Sequence, residues 1–171
     1  MTRRIVAIVA IFMMALPVMA KEMKIGYIDS EAILNQYPDY QEAQRKLAEE
    51  EQKYVAEAQA KELVVTTMMD EIQQQSLMLS AEARAEREQK LDEKRRELEQ
   101  FRVDTWGEGG KLYTKNLELS RPILEKINQA IEKISQQDGY DMVFDAAGGN
   151  IVFALPQHDI TDLIVAELKK E

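Results

Sequence analysis

The central half of the chain lacks the residues that usually interrupt helices. Residues 39–120 contain no proline and no cysteine, and glycine occurs there only within the segment 107–110. Apolar and half-apolar residues recur at spacings that drift between a heptad and 3.6 residues. This pattern predicts two helices of equal length, at residues 39–79 and 80–120, that fold back on each other as an antiparallel hairpin. At about 1.5 Å per residue, each helix would extend roughly 60 Å.

The predicted seam between these two arms is polar. Asp39 is the predicted N-cap of the first helix, and Ser80 caps the second after a turn at Leu79 and Ser80. The inward positions predicted on the first arm are Tyr40, Ala43, Leu47, Tyr54, Ala58, Val65, Met68, Ile72 and Leu79. Those predicted on the second arm are Ala83, Arg87, Leu91, Lys94, Leu98, Phe101 and Thr105. Because charged residues interrupt both stripes, the seam is a weak coiled coil and not a leucine zipper.

Glycine and proline predict two irregularities near the end of the hairpin. Glycine costs about 1 kcal/mol in a helix interior, so the segment 107–110 predicts a frayed or bent stretch. Pro122 predicts a helix boundary or a kink, because its ring clashes with the preceding turn. Beyond Pro122, an amphipathic helix is predicted to end near Asp138 and Gly139.

The flanks of the hairpin carry strand-like segments. Residues 24–29 predict a short strand, followed by a helical turn that Ser30 caps. Residues 140–145 and 150–155 are two alternating runs around an Ala-Ala-Gly-Gly sequence, which predicts a β-hairpin. The residues predicted on the inner face of a final helix, which opens at Asp159, are Leu163, Ile164 and Leu168.

The predicted fold is α+β and mostly α: a small β body bearing one long helical hairpin. We expect residues 21–38 and 121–171 to form the body and residues 39–120 to form the arm. A body of this size has only a marginal core, and its short strands leave unpaired edges. We therefore expect strand pairing between copies in a closed assembly; a monomer with covered edges is the alternative. The residues predicted at this oligomer interface are Ile25, Tyr27, Ile28, Val143, Phe144, Ile151 and Phe153.

The first 20 residues have the pattern of a secretory signal peptide. Arg3 and Arg4 precede an apolar run at residues 5–16, and Pro17 separates this run from small residues that suit cleavage after about Ala20. The run is shorter than the roughly 20 apolar residues that span a bilayer. A retained anchor or a buried core helix is the alternative to an exported mature chain.

The charge of the chain argues against polyanionic partners. The sequence has 22 basic and 31 acidic residues; removing Arg3 and Arg4 leaves 20 against 31, a net charge of −11. Nucleic acids and anionic lipid surfaces repel such a chain. The absence of cysteine excludes a disulfide framework.

The residues that carry catalytic chemistry are scarce. His158 is the only histidine and, beside Asp159, is expected to be exposed or to cap a helix. Without cysteine and with one histidine, neither a zinc site nor a Cys-His pair is expected. Residues 107–112 lack the glycine spacing of a phosphate loop. We therefore expect no enzyme activity, no catalytic residue, no metal and no cofactor.

Methionines concentrate near the predicted distal turn. Flexible thioethers suit surfaces that accept many partners. Sealing of the end of the helical pair, where long side chains fill uneven gaps, is the favoured alternative. Trp106, beside the flexible glycines, could pad the seam or touch a partner. The candidate contact residues for a protein partner are Met68, Met69, Ile72, Met78 and Trp106.

Several segments together resemble one family. The chain shows KIGYIDSEAILNQYPDYQEAQRKL, a polar hairpin turning at LMLSAEAR, then RPILEKINQAIEKI, GYDMVFD and DITDLIVAEL. In this order and spacing they resemble the Skp/OmpH family of periplasmic chaperones. The resemblance implies a homotrimer whose strands, here residues 24–29, 142–145 and 151–154, build a barrel between subunits. It also implies that the arms, here residues 40–119, line a cavity.

The resemblance implies an ATP-independent holdase that binds unfolded outer-membrane proteins in the periplasm and prevents their aggregation. A structural or adaptor role, with the hairpin as a coiled-coil spacer of the cell envelope, is the alternative. Residues 39–120 carry 13 basic and 19 acidic residues, whereas the familiar members have cationic arms. Binding of anionic lipid or lipopolysaccharide is therefore not expected of this chain.

Overall fold

A computed structural model describes residues 22–170 as a small body with a long helical arm. The predicted signal peptide and its cleavage point lie outside the described residues. In chain order, the elements are β1 (Ile25–Ile28), α1 (Ser30–Gln36), α2 (Pro38–Gln75), α3 (Ala81–Trp106), α4 (Lys111–Asp138), β2 (Met142–Asp145), a 3-10 turn (Pro156–His158) and α5 (Thr161–Leu168).

The body is organised around two short parallel strands. β1 pairs with β2 so that Ile25 lies opposite Met142 and Ile28 opposite Asp145. Parallel strands need a long crossover connection, and here the whole helical arm supplies it. On the other edge of β1, the backbone N–H of Ile160 donates to the carbonyl of Tyr27 at 2.9 Å. β1 is therefore the centre of the body, with partners on both edges.

Helices α1, α4 and α5 pack with these strands around one apolar core. Ile33 and Ile164 are completely buried, and Asp29 caps α1 by accepting a hydrogen bond from the N–H of Ala32 at 2.9 Å. Burying an isoleucine side chain contributes about 1.5–3 kcal/mol. The buried residues of this core are Ile28, Ile33, Tyr37, Ile123, Ile127, Ala130, Ile134, Ile160, Ile164, Val165 and Leu168.

The arm is an antiparallel helical pair, as predicted. α2 runs outward, and α3 with the first part of α4 returns beside it. A constant register shows in the cross-helix contacts: Arg87 donates to Gln75 at 2.6 Å, and Arg102 pairs with Glu62 at 3.1 Å. At the root, Lys126 pairs with Asp39 at 2.9 Å.

The predicted seam positions face inward on both arms, each being buried or half-buried. Val65, Leu91 and Leu98 form the buried centre of the distal seam. Nearer the body, the Phe101 ring packs edge-on against Tyr54 and Trp106, with ring centroids 6.4 and 6.0 Å apart.

The predicted glycine break is confirmed. α3 ends at Trp106 and α4 begins at Lys111. Gly109, between them, has φ +70°, a left-handed conformation that glycine adopts without strain.

Pro122 lies inside α4, so the predicted helix boundary there is wrong. Proline removes one backbone hydrogen bond, and its ring crowds the carbonyl of Glu118. Both residues are exposed to water, which can solvate that carbonyl. The following residues, Ile123 and Ile127, are buried in the body core. Their packing holds the helix continuous past the proline.

The predicted hairpin of residues 140–145 and 150–155 is also wrong. Only Met142–Asp145 is a strand, and residues 150–155 form a loop. A turn does occur after β2, where the N–H of Gly149 donates to the carbonyl of Ala146. However, Ile160 must reach the edge of β1 that β2 does not occupy, so the chain crosses the sheet and leaves β2.

Several predicted helix ends differ from the observed ones by a few residues. Asp29, not Ser30, caps α1, and Tyr37, not Asp39, is the N-cap residue of α2. Helix α2 ends at Gln75, before a turn at residues 76–80. The predicted cap of α3 is confirmed, because the Ser80 hydroxyl accepts from the N–H of Ala83 at 3.2 Å.

The final helix is predicted two residues early. It begins at Thr161, and Asp159 accepts from the Thr161 N–H at 2.9 Å. With that start, Val165 is buried beside Ile164 and Leu168, whereas Leu163 is 45% exposed. The prediction of Leu163 as an inner residue is therefore wrong.

Candidate functional site

Two surfaces of the described chain expose apolar side chains in groups. We call the first the body groove; it lies between the strands and the loop at residues 150–154 and has a volume of about 760 Å³. The residues that line it are Met23, Ile25, Gly26, Tyr27, Phe144, Asn150, Ile151, Val152, Phe153, Ala154 and His158.

The body groove brings together five of the seven predicted interface residues. These are Ile25, Tyr27, Phe144, Ile151 and Phe153. The other two lie apart from it: Ile28 is in the body core and Val143 packs against that core.

The sequence pattern misses Val152, the most exposed of the large apolar residues in this groove. Val152 is 98% exposed and Phe153 is 82% exposed. Alternation assigned Val152 to the opposite face from its neighbours, but in a loop both side chains reach solvent. Free apolar side chains in this number are typical of a surface that another protein covers.

The second surface is at the outer end of the arm. There the structure separates the candidate contact residues: Met68 and Ile72 pack against the seam core, whereas Met69 is 42% and Met78 81% exposed. Trp106 lies far from this end and packs its ring against Phe101. Leu77 is 98% exposed beside Met78 and was not predicted as a contact residue.

Exposed apolar residues also occur along the flank of the arm. Leu63 is 67% and Val64 45% exposed. They lie between inward positions of α2, so the periodicity could have found them as outward apolar residues. Together with the tip, they give the arm scattered apolar contacts on a charged helical surface.

Ion pairs at helical spacing cover much of this surface. Lys46 pairs with Glu42 at 2.6 Å and Lys90 with Glu86 at 2.6 Å. Hydrogen bonding to Lys46 lowers the pKa of Glu42, and hydrogen bonding to Lys90 lowers the pKa of Glu86. Exposed pairs of this kind contribute little to stability, because water and salt screen them.

The root of the arm is joined to the body by a similar but longer-range contact. Lys126 of α4 donates to Asp39, and the Tyr37 hydroxyl donates to the same carboxylate at 3.0 Å. The hydrogen bond from Lys126, followed by that from Tyr37, lowers the pKa of Asp39. The carboxylate therefore stays charged where the arm leaves the body.

Within residues 22–170, no three His, Cys, Asp or Glu side chains are grouped so that they could hold a metal ion. His158 is half-buried at the body groove and lies 3.4 Å from the Gln157 amide nitrogen. None of the helices in the described part of the chain is long and apolar enough to cross a membrane. The body groove and the outer end of the arm provide exposed apolar area for contact with another protein.

Comparison with known proteins agrees with this arrangement. Residues 24–168 match the family described as outer membrane protein, OmpH-like. The chain belongs to the OmpH-like family. That match includes every helix and strand from β1 to α5.

Two relatives are chaperones by name. The chain is 25% identical over 146 residues to the chaperone protein Skp of Yersinia enterocolitica, covering 85% of this chain and 86% of that protein. It is 20% identical over 157 residues to Skp of Vibrio cholerae, covering 85% and 83%. Skp and OmpH-like proteins are a family of chaperones and not of enzymes.

The fold is shared with a solved structure. The crystal structure of an OmpH-like protein from Caulobacter crescentus CB15 superposes with a TM-score of 0.76 at 14% identity, covering 86% of this chain and 85% of that one. The predicted fold class, a mostly helical α+β chain with a long hairpin, is confirmed.

Proposed function

We propose that this protein is an ATP-independent holdase that binds unfolded outer-membrane proteins in the periplasm and keeps them from aggregating. The observation that carries the proposal is the thin helical arm, which leaves a small body and exposes apolar side chains at its tip and flank. An unfolded chain can lie along such an arm without entering a closed pocket. Export through the predicted signal peptide, cleaved after about Ala20, is part of the same proposal.

The body groove is the proposed assembly surface of a homotrimer. Its exposed apolar residues, Val152 and Phe153 above all, would be buried between copies. The edge of β2 that has no neighbouring strand among the described residues would gain a partner. Three arms would then project from one hub and enclose a cavity. Several weak contacts acting at once would give useful affinity, because linked contacts raise the effective concentration of one another.

Light scattering on the purified mature chain tests the assembly, with an expected mass three times that of the monomer. Val152→Glu combined with Phe153→Glu should give monomers that keep their helical content, because both side chains are exposed within one chain. Leu163→Glu, at an exposed position of α5 outside the groove, is the matched control and should stay trimeric. A monomeric parent protein would contradict the proposed cage.

Dilution of an unfolded β-barrel protein from urea tests the holding activity. The mature protein, at stoichiometric amount and without nucleotide, should abolish most of the light scattering that the client produces alone. The Val152→Glu, Phe153→Glu variant should protect less, because its arms act singly. Scattering unchanged by the parent protein would reject the holdase function.

A further inference from the structure

We propose that the distal tip of the arm binds segments of unfolded protein in which apolar side chains are flanked by lysine or arginine. The inference rests on the proposed holdase function and names the chemistry of the segments that the arm prefers. The distal tip is defined here as Met69, Leu77 and Met78 together with the carboxylates Asp70, Glu71 and Glu82.

The apolar part of the distal tip is not needed to close the helical pair. Met68 and Ile72 already pack against the seam core. Leu77 and Met78, in the turn that joins α2 to α3, are 98% and 81% exposed. Unbranched, polarizable methionine side chains adapt to partners of varied shape, so the turn presents adaptable apolar groups to solvent.

The chain segment that carries these apolar groups has only negative charges. Residues 62–83 contain four carboxylates and no lysine or arginine. Glu62 is paired with Arg102 at 3.1 Å. Within residues 22–170, the other three, Asp70, Glu71 and Glu82, form no ion pair, and all three are exposed.

Three arginines of the facing helix lie near the distal tip. Arg84 pairs with Glu88 at 2.9 Å, and Arg87 donates to the Gln75 amide oxygen at 2.6 Å. Arg95 lies 3.1 Å from the Met69 sulfur and 3.8 Å from a carboxylate oxygen of Asp92. Arg87 and Arg95 keep their positive charge, because an amide oxygen and a thioether sulfur do not neutralise a guanidinium. Residues 69–88 nevertheless contain five carboxylates and two arginines, so the distal tip has a net charge of −3.

Charge complementarity selects one occupant for this surface. A second copy of the tip carries the same carboxylates, so contact between tips is opposed by repulsion. Anionic membranes and nucleic acids are repelled for the same reason. An extended segment with apolar side chains between basic ones can contact the apolar residues of the tip and pair with its carboxylates at the same time.

Three labelled peptides test this preference on the full mature protein. They share one apolar sequence and differ in flanking residues, which are lysine, glutamine or glutamate. Fluorescence anisotropy should show the lysine-flanked peptide binding about tenfold more tightly than the glutamate-flanked one at low salt. The preference should shrink as salt is raised, because exposed charges are screened.

Two variants assign the preference to the distal tip. Asp70→Asn, Glu71→Gln and Glu82→Gln together should bring the affinity ratio of the lysine and glutamate peptides close to one. Leu77→Gln with Met78→Gln should weaken binding of all three peptides severalfold. The matched control removes three exposed carboxylates elsewhere and should keep the preference: Glu51→Gln, Glu99→Gln and Glu125→Gln.

The outcomes separate this inference from the holdase function. Suppressed client aggregation without a lysine-peptide preference, or a preference that survives in the tip triple variant, overturns the inference and leaves the holdase intact. Unsuppressed aggregation with a tip-dependent preference supports the inference and rejects the holdase. Binding to zwitterionic vesicles that requires Leu77 and Met78, with no peptide preference, overturns the inference in favour of a membrane contact.

Discussion

Thr105 is a position of the arm where losing a polar group should increase stability. Its side chain is completely buried in the seam, and its hydroxyl oxygen has no hydrogen-bond partner among the described residues. Leaving a buried hydroxyl unsatisfied costs about 1–3 kcal/mol. Thr105→Val replaces it with a methyl group of similar size and keeps the branched Cβ, and the two residues have similar helix propensities. We expect the free energy of unfolding to rise by about 1–2 kcal/mol.

Urea and thermal unfolding followed by circular dichroism at fixed protein concentration measure this change. For a chain of this size, about 1–2 kcal/mol corresponds to a Tm rise of about 2–8 °C. Thr67→Val, at an exposed position of α2, is the control and should shift the Tm little. Thr105→Ser keeps the hydroxyl and removes a methyl, so it should destabilise by about 1 kcal/mol. A Thr105→Val protein less stable than the parent would show that the Thr105 hydroxyl is hydrogen-bonded in the folded protein.

Three further predictions concern the break in the arm, the core and the effect of pH. A Cβ at Gly110 would lie 2.8–2.9 Å from three backbone carbonyl oxygens, so Gly110→Ala should lower the unfolding free energy by about 1–3 kcal/mol in urea melts; no change would mean that the break repacks freely. Ile164→Ala, at a completely buried position, should cost about 2–5 kcal/mol in the same assay, and a cost below 1 kcal/mol would contradict a rigid core. Hydrogen bonds from Lys133 and then Lys170 lower the pKa of the buried Glu167, so its contribution is present above the ordinary glutamate pKa and is lost as the pH falls through the lowered value. The stability difference between the parent and Glu167→Gln should therefore shrink between pH 7 and about pH 3; a constant difference across that range would argue against the ion pairs.

The arm was largely predictable from the sequence, because the spacing of apolar residues along the chain determines which side of each helix faces inward. Every predicted inward position, from Tyr40 to Thr105, is buried or half-buried. The cap at Ser80 and the break at residues 107–110 were also found, since capping and glycine flexibility act within a few residues. The helix ends were less accurate, because neighbouring Asp and Ser residues can both cap a helix.

The sequence predicted which residue types occur near the candidate contact surface of the arm, but not which of these side chains are exposed. The sequence placed methionines near the turn, but it could not tell Met68, which packs into the seam, from Met78, which faces solvent. These two side chains differ in whether a facing helix covers them, and that depends on the register of α2 against α3. Leu77 was missed for the same reason.

The sequence alone determined that this chain has long paired helices, polar seams and a break at the glycine segment, because backbone hydrogen bonds and side-chain spacing in helices are local. Tertiary structure alone decided the partner of β2, the path of residues 146–160 and the continuity of α4 through Pro122. A strand has no partner within itself, so its pairing depends on which distant segment arrives at its edge. Here Ile160 occupies the free edge of β1, and that contact draws the loop across the sheet and leaves Val152 and Phe153 exposed.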